Sequence, residues 1–134
     1  MTRSGQELAE YTCCWIKGHW PTFRKIMHIA HRAVDRGERL SGPEVYFWAR
    51  ENGIKISEIE DFKRDKTLWA GIARYMVMLR PRLYQCLEFR KSKMDRGVDL
   101  VGIWHDNVRS DTTFLATSWQ DAKHLCEIED VSAR

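Results

Sequence analysis

The stretches 40-LSGPEVYFWARENGI-54, 65-DKTLWAGIARYMVML-79 and 83-LYQCLEFRKSKMDRGVDLVGIW-104 decide the fold of this 134-residue chain. The first two carry apolar residues at spacings of three and four, which predicts helices over about 41–53 and 66–79. The third stretch alternates apolar and polar residues and then ends in an apolar, β-branched run, with turn residues between them. It therefore predicts a β-hairpin over 83–104, and the expected fold class is α+β, mainly α.

Start and stop signals predict further helices on either side of this tract. Ser4 and Glu7 have the S-x-x-E spacing of a capping box, in which each side chain accepts a hydrogen bond from a free backbone N–H. Pro21 suits the first turn of a helix because its missing N–H is not needed there, and Gly37 can end that helix. Ser118 can cap a last helix. These signals predict helices over about 5–16, 21–36 and 119–128.

The tract 40–105 resembles the winged helix-turn-helix domains found in small phage and prophage proteins. In such domains a helix of the form L-[ST]-x-x-x-V-x-x-W-A-x-x-x-G-I precedes a second helix with an aromatic residue, a Gly and an Arg, and a strand pair ends near a Trp. The matching residues here are Leu40, Ser41, Val45, Trp48, Ala49, Gly53, Ile54, Trp69, Gly71, Arg74 and Trp104. The length of 134 residues and a hydrophobic content of 43% predict a single domain over 1–134. With the resemblance, this domain would have a winged-helix core at about 21–105, an extra N-terminal helix at 5–16 and an acidic C-terminal segment at 111–134.

The same resemblance implies a protein that binds duplex DNA, as a transcriptional regulator or a replication accessory of a phage or mobile element. The helix 66–79 would enter the major groove, and the hairpin 83–104 would contact the DNA backbone. Arg74 is a weaker candidate than the others, because its partner could equally be a protein carboxylate. The DNA-binding residues implied are Lys63, Arg64, Lys66, Thr67 and Arg74 on or before the helix, and Arg90, Lys91, Lys93 and Arg96 on the wing.

The charge distribution favours contact with phosphates in the middle of the chain. Residues 61–110 contain eleven Lys and Arg against six Asp and Glu, a balance of +5. Residues 1–60 contain nine against eight, and residues 111–134 contain two against five. Because cations that neutralise phosphates supply much of the affinity for DNA, the excess lies where the wing is expected. An ordinary solvated surface is the alternative interpretation.

A second functional hypothesis is a protein-binding inhibitor, for example a phage factor acting on a host or defence protein. Six Trp, five Phe and four Tyr are many for a chain of this length, and aromatic residues dominate interface hot spots. Tyr46, Phe47 and Trp48 follow one another in one helix, so they cannot all face the core. A homodimer is a further alternative, with the helix over 5–16 as a candidate interface.

Metal binding and catalysis find less support in the sequence. His28 and His31 have the i, i+3 spacing that lets two rings face one ion, yet no Cys pair has zinc spacing, so no metal or cofactor is expected. His105-Asp106-Asn107 faintly resembles the start of a nuclease motif without a second His element, so the chain is not expected to be an enzyme. Four Cys without CxxC spacing favour reduced thiols in the cytoplasm, and no apolar run predicts a membrane span.

Overall fold

The computed structural model of the chain describes residues 3–54 and 66–132. These residues form α-helices connected by turns and by two short 3-10 helices. The α-helices are α1 (Gly5–Gly18), α2 (Trp20–Asp35), α3 (Gly42–Glu51), α4 (Lys66–Leu79), α5 (Leu100–Asn107) and α6 (Trp119–Ser132), and the 3-10 helices are Pro81–Cys86 and Lys93–Asp95.

The predicted β-hairpin over 83–104 is wrong. Within residues 3–54 and 66–132 the chain forms no β-strand, so the fold is helical and shows no winged helix. The first predicted strand begins inside a 3-10 helix that starts at Pro81. The second is helix α5, because the Asp99 side chain accepts a hydrogen bond from Gly102 N at 3.0 Å and so caps a helix. A short apolar run fits a buried strand and a buried helix equally well, and here the cap decides.

The helix signals at the other ends of the chain are confirmed. Glu7 N donates to Ser4 Oγ at 3.2 Å and Ser4 N donates to Glu7 Oε1 at 3.1 Å, which completes the predicted capping box of α1. Ser41 caps α3 through Glu44 N, and Ser118 accepts a hydrogen bond from Asp121 N at the start of α6. These local bonds explain why helix starts could be predicted without knowledge of the tertiary fold.

Helix α4 is the centre of the molecule. It packs against α1, against the 3-10 helix Pro81–Cys86 and against α6, and α2 also contacts that 3-10 helix. Leu68 and every residue from Gly71 to Met78 are buried. A helix that is covered on every side belongs to the interior of a fold, so α4 is a core helix rather than a surface helix.

Aromatic side chains fill much of the space around α4 and α5. The ring of Trp104 is fully buried, and its centroid lies 5.3 Å from that of Tyr75 and 5.8 Å from that of Phe23. Two polar atoms in this cluster have partners, since Trp104 Nε1 donates to Thr112 Oγ1 and Tyr75 Oη donates to Leu100 O, both at 2.8 Å. The abundance of Trp and Tyr in this region is therefore explained by the core.

Helices α1 and α4 cross in close contact at a glycine. A Cβ atom placed on Gly71 would overlap the Thr12 side chain, so the crossing requires the absence of a side chain. Thr12 is itself buried, and its hydroxyl donates to Leu8 O at 2.8 Å. This close approach offsets the roughly 1 kcal/mol that glycine costs inside a helix.

Candidate nucleic-acid interface

The helix that was predicted to enter a DNA groove is not available for that role. Over Gly71–Met78 all residues of α4 are buried, so this part of the helix presents no side to a ligand. Lys66 and Thr67 are exposed in the first turn of α4, and Lys63 and Arg64 lie outside the described residues. The apolar spacing over 66–79 predicts one apolar side of a surface helix, whereas residues outside that stripe are buried as well, namely Gly71, Arg74, Val77 and Met78.

The residues predicted as a wing do lie together, on a loop rather than on a hairpin. We define residues 90–96 as the basic loop. Arg90, Lys91, Lys93 and Arg96 are exposed on it, and Met94 is buried beneath it with a side chain 1% exposed. Four cations within seven residues make this loop the densest exposed positive charge among the predicted residues.

A buried arginine holds the basic loop from below. Arg74 is 1% exposed, and its Nε and Nη2 atoms donate to the two carboxylate oxygens of Asp95 at 2.6 and 3.2 Å. Its Nη2 atom also donates to Arg90 O at 2.7 Å, and Nη1 donates to Ala70 O at 3.0 Å. The two-pronged pairing matches the planar fork of the guanidinium, which a lysine could not reproduce.

Two aromatic rings shield the same guanidinium from water. The Cζ atom of Arg74 lies 5.3 Å from the ring centroid of Phe89 and 5.2 Å from that of Trp119. The two rings also contact each other edge to face, with their centroids 4.8 Å apart. A charge that is buried and fully paired in this way is strongly destabilising when one partner is removed. Arg74 therefore supports the loop and offers no atom to a phosphate on the surface.

The Asp95 side chain binds both Arg74 and the backbone of the basic loop. Its Oδ2 atom accepts a hydrogen bond from Ser92 N at 2.9 Å, and Ser92 Oγ accepts one from Met94 N at 3.2 Å. From α6, the Nε2 atom of Gln120 donates to the backbone carbonyl oxygen of Asp95. The one carboxylate in the loop thus pairs with the buried Arg74, and the four cations are exposed.

The start of α1 braces the other side of the basic loop. Lys93 Nζ donates to Arg3 O at 3.3 Å, and a Cβ atom on Gly5 would overlap the carbonyl group of Lys93. Glu7 lies close enough to Arg3 and Lys93 to interact with their charges. Hydrogen bonds from Ser4 lower the pKa of Glu7, and the charges of Arg3 and Lys93 lower it further by smaller amounts. The loop is therefore seated against α1, with one carboxylate at its margin.

Sequence reasoning missed both the anchor of the loop and a second cationic surface. The signal for the anchor was available, because Ser92 and Asp95 have the spacing of a capping box that was interpreted as hairpin turn chemistry. The second surface is the outer side of α2. Residues 20–36 contain four Lys and Arg against one Asp, a local +3 that the balance over residues 1–60 conceals. We define this α2 surface as Arg24, Lys25, His28, Arg32 and Arg36, which are all exposed.

The alternatives raised by the sequence find little in the geometry. Among the residues that the structure describes, no group of three His, Cys, Asp or Glu side chains could hold a metal ion. His28 is exposed and His31 is half-buried; burial lowers the pKa of His31, and the charges of Arg82 and Arg80 lower it further. His105 uses its Nε2 atom in a 2.8 Å hydrogen bond with Thr112 O.

The aromatic residues do not form an exposed patch in the described part of the chain. Trp15 and Trp119 are buried, and Trp20 and Trp48 are half-buried. Of the large apolar side chains that the structure describes, Leu115 alone is exposed, at 52%. The side chains of Tyr46 and Phe47 lie outside the described set. The apolar side of α1, the candidate dimer interface, packs on α4 and α5 of its own chain.

Comparison with known proteins gives no relative for this arrangement. No protein-family model, no curated protein and no solved structure matches the chain. No helix in the described ranges is long and apolar enough to cross a membrane. The function must therefore be argued from the charges and contacts of the chain itself.

Proposed function

We propose that this protein binds duplex DNA through its basic loop, by contacts to backbone phosphates. The observation that carries the proposal is the arrangement of the loop, in which four cations are exposed and the one carboxylate is paired with the buried Arg74. Lysine and arginine side chains at a phosphate backbone release bound counterions, which supplies affinity without reading sequence. Phosphate contacts position a protein on DNA, whereas base contacts specify a sequence.

The fixed shape of the loop supports the proposal further. Hydrogen bonds from Arg74, Ser92 and Gln120 hold the loop backbone and Asp95 before any ligand arrives. A preorganised surface loses less conformational entropy on binding than a flexible one, so more of the electrostatic attraction appears as affinity. We infer a binding mode in which the protein contacts one stretch of backbone and tolerates many sequences.

Two further features agree with this function. The described surface offers charge rather than an apolar patch, which favours a polyanion over an apolar protein partner. No disulfide joins the four cysteines, all of which the structure describes, and this agrees with the cytoplasm as the setting. The exposed Lys66 and Thr67 at the start of α4 are additional candidates for phosphate contacts.

Fluorescence anisotropy with a mixed-sequence duplex of about 25 base pairs, titrated across a salt series, tests the proposal. We compare the wild type with a loop variant in which Arg90, Lys91, Lys93 and Arg96 are all changed to Gln. A matched control changes Lys17, Arg32, Arg36 and Lys123 to Gln, which removes the same charge elsewhere on the exposed surface.

The proposal predicts that the loop variant loses most of its affinity and that the control keeps most of its own. The slope of log K against log salt should become shallower by about 0.9 for each phosphate contact removed. Equal losses in the two variants would show that net charge rather than the loop determines binding. Absence of binding by the wild type at about 50 mM salt would reject the function itself.

A further inference from the structure

The α2 surface borders a groove whose other wall is the end of α3. One wall of the groove is formed by four residues of α2, at sequence spacings of one, three and four residues: Pro21, Arg24, Lys25 and His28. Asn52, at the end of α3, lines it as well. The cavity between them holds about 360 Å³. Small-molecule pockets range from roughly 300 to 1,000 Å³, so this groove has room for a compact ligand.

The lining residues that the structure describes are cationic or neutral. Arg24 and Lys25 are exposed, His28 adds an imidazole, and none of the described lining residues is Asp or Glu. Over residues 3–54 and 66–132 no ion pair joins Arg24 or Lys25 to a carboxylate. Their positive charges are therefore not neutralised within this part of the chain, and an anion would be attracted to the groove.

Hydrogen bonds already position two of the donors. Lys25 Nζ donates to Gly53 O at 3.2 Å, which leaves two of its three N–H groups for a ligand. Asn52 Nδ2 donates to Trp48 O at 2.8 Å, which holds the amide in place and uses one of its two N–H groups. An ammonium, a guanidinium and an amide thus line the same groove, and none of its described lining residues carries a carboxylate.

The groove does not continue far along α2. The neighbouring cleft between Arg32 and Trp48 holds only about 10 Å³, which is close to the space of one water molecule. Glu38 lines that cleft and would repel an anion there. A bulky group attached to the anion would have to point out to solvent, so the groove suits a compact anion or the end of a longer one.

We propose that the groove between α2 and α3 is a binding site for a phosphoryl dianion, either a free phosphate compound or the terminal phosphate of a nucleic acid. Arg24 and Lys25 supply the charge, and Asn52 and His28 supply further polar contacts. Multidentate, charge-assisted hydrogen bonds of this kind are the strong ones in anion recognition. The site stands independently of the basic loop, because the two share no residue.

Titration of the full chain with sodium pyrophosphate, followed by amide NMR and by calorimetry at constant ionic strength, tests the site. We expect resonance shifts at Lys25, Gly53 and the side-chain amide of Asn52. The variant Arg24→Gln/Lys25→Gln should bind pyrophosphate at least about tenfold more weakly. The charge-matched variant Lys17→Gln/Lys123→Gln, whose residues are exposed and lie in neither proposed site, should bind it as the wild type does.

Competition distinguishes the two sources of the anion. A short single-stranded oligonucleotide with a 5′-phosphate should displace pyrophosphate, and its 5′-hydroxyl form should not, if a nucleic-acid end is the source. If neither displaces it, a free phosphate compound is the ligand. No shifts with pyrophosphate, or equal losses of affinity in the groove variant and in the Lys17→Gln/Lys123→Gln control, would overturn the site. If the Arg24→Gln/Lys25→Gln variant still binds duplex DNA, the DNA-binding proposal for the basic loop stands even when the groove site fails.

Discussion

The basic loop and the α2 surface carry similar charge but are built in different ways. On α2 the helix backbone alone places Arg24, Lys25 and Arg32 on one side of the chain, so a local sequence pattern suffices. In the basic loop the cations are placed by Arg74, whose guanidinium binds Arg90 O and the Asp95 carboxylate across a large separation in sequence. The comparison teaches that one cationic surface is local in origin and the other depends on the tertiary fold.

Replacement of Arg74 should have the largest effect, because it removes the tertiary support of the loop. Arg74→Met leaves Asp95 without its ion-pair partner and leaves Arg90 O without this donor. We expect a loss of about 3 kcal/mol in the free energy of unfolding, the lower end for a broken buried pair because the Asp95 side chain is 22% exposed. Urea unfolding monitored by circular dichroism measures this loss.

Two companion variants sharpen that result. Arg32→Met on the exposed side of α2 removes the same charge where no tertiary support depends on it, and should change stability by no more than about 0.5 kcal/mol. Arg74→Met/Asp95→Asn removes the unpaired carboxylate and should recover part of the loss. Equal stability of the Arg74 and Arg32 variants would contradict the difference between the two surfaces.

A glycine substitution at the start of α1 should have the next largest effect. A Cβ atom on Gly5 would overlap the Lys93 carbonyl group and lie 2.9 Å from Val98 Cγ2, so Gly5→Ala must displace the loop or the helix. Overpacking of this kind costs about 1 to 3 kcal/mol, and we expect a lower melting temperature together with weaker binding to duplex DNA.

Gly18, at the other end of the same helix, provides the control. A Cβ atom at Gly18 would have nothing within 4 Å, so Gly18→Ala should leave DNA binding unchanged and raise stability by up to about 1 kcal/mol. If both alanine variants melt like the wild type, the contact between α1 and the basic loop is not as the structure has it.

The smallest effect concerns pH on the α2 side of the molecule. The pKa of His31 is lowered by burial and by Arg82 and Arg80, while Asp35 opposes this. Below the ordinary His pKa of about 6.5 the unfolded chain therefore binds a proton that the folded chain resists. Stability from this group is present above that pH and falls as the pH falls toward the folded pKa. His31→Gln should reduce this slope in unfolding experiments between about pH 7 and 5, and an unchanged slope would contradict it.

The sequence was most informative where structure is determined by neighbouring residues. The boxes and caps at Ser4, Ser41 and Ser118 mark helix starts that the structure confirms, because the bonds concerned span three residues. The run over 98–104 was assigned the wrong class, since its β-branched residues favour a strand while its single cap at Asp99 forms a helix. Local pattern does not reveal whether a strand has a partner.

The same distinction applies to the candidate site. Arg90, Lys91, Lys93 and Arg96 could be selected from charge density, although they lie on a loop and not on a wing. The burial of Arg74 could not be read from its position on a helix with apolar residues at helical spacing, because its partners come from distant parts of the chain. The charge of α2 could have been found by counting over one helix instead of sixty residues.

Amide NMR of the full chain during titration with a short mixed-sequence DNA duplex tests the central claim most directly. We predict that resonances of the basic loop and of Gly5, which contacts it, shift progressively. Resonances of the buried stretch Gly71–Met78 of α4 should remain near their free positions, and added salt should reverse the loop shifts. Shifts concentrated on the α2 surface, or a spectrum unchanged by the duplex, would contradict the claim that the loop held by Arg74 is the DNA-binding site.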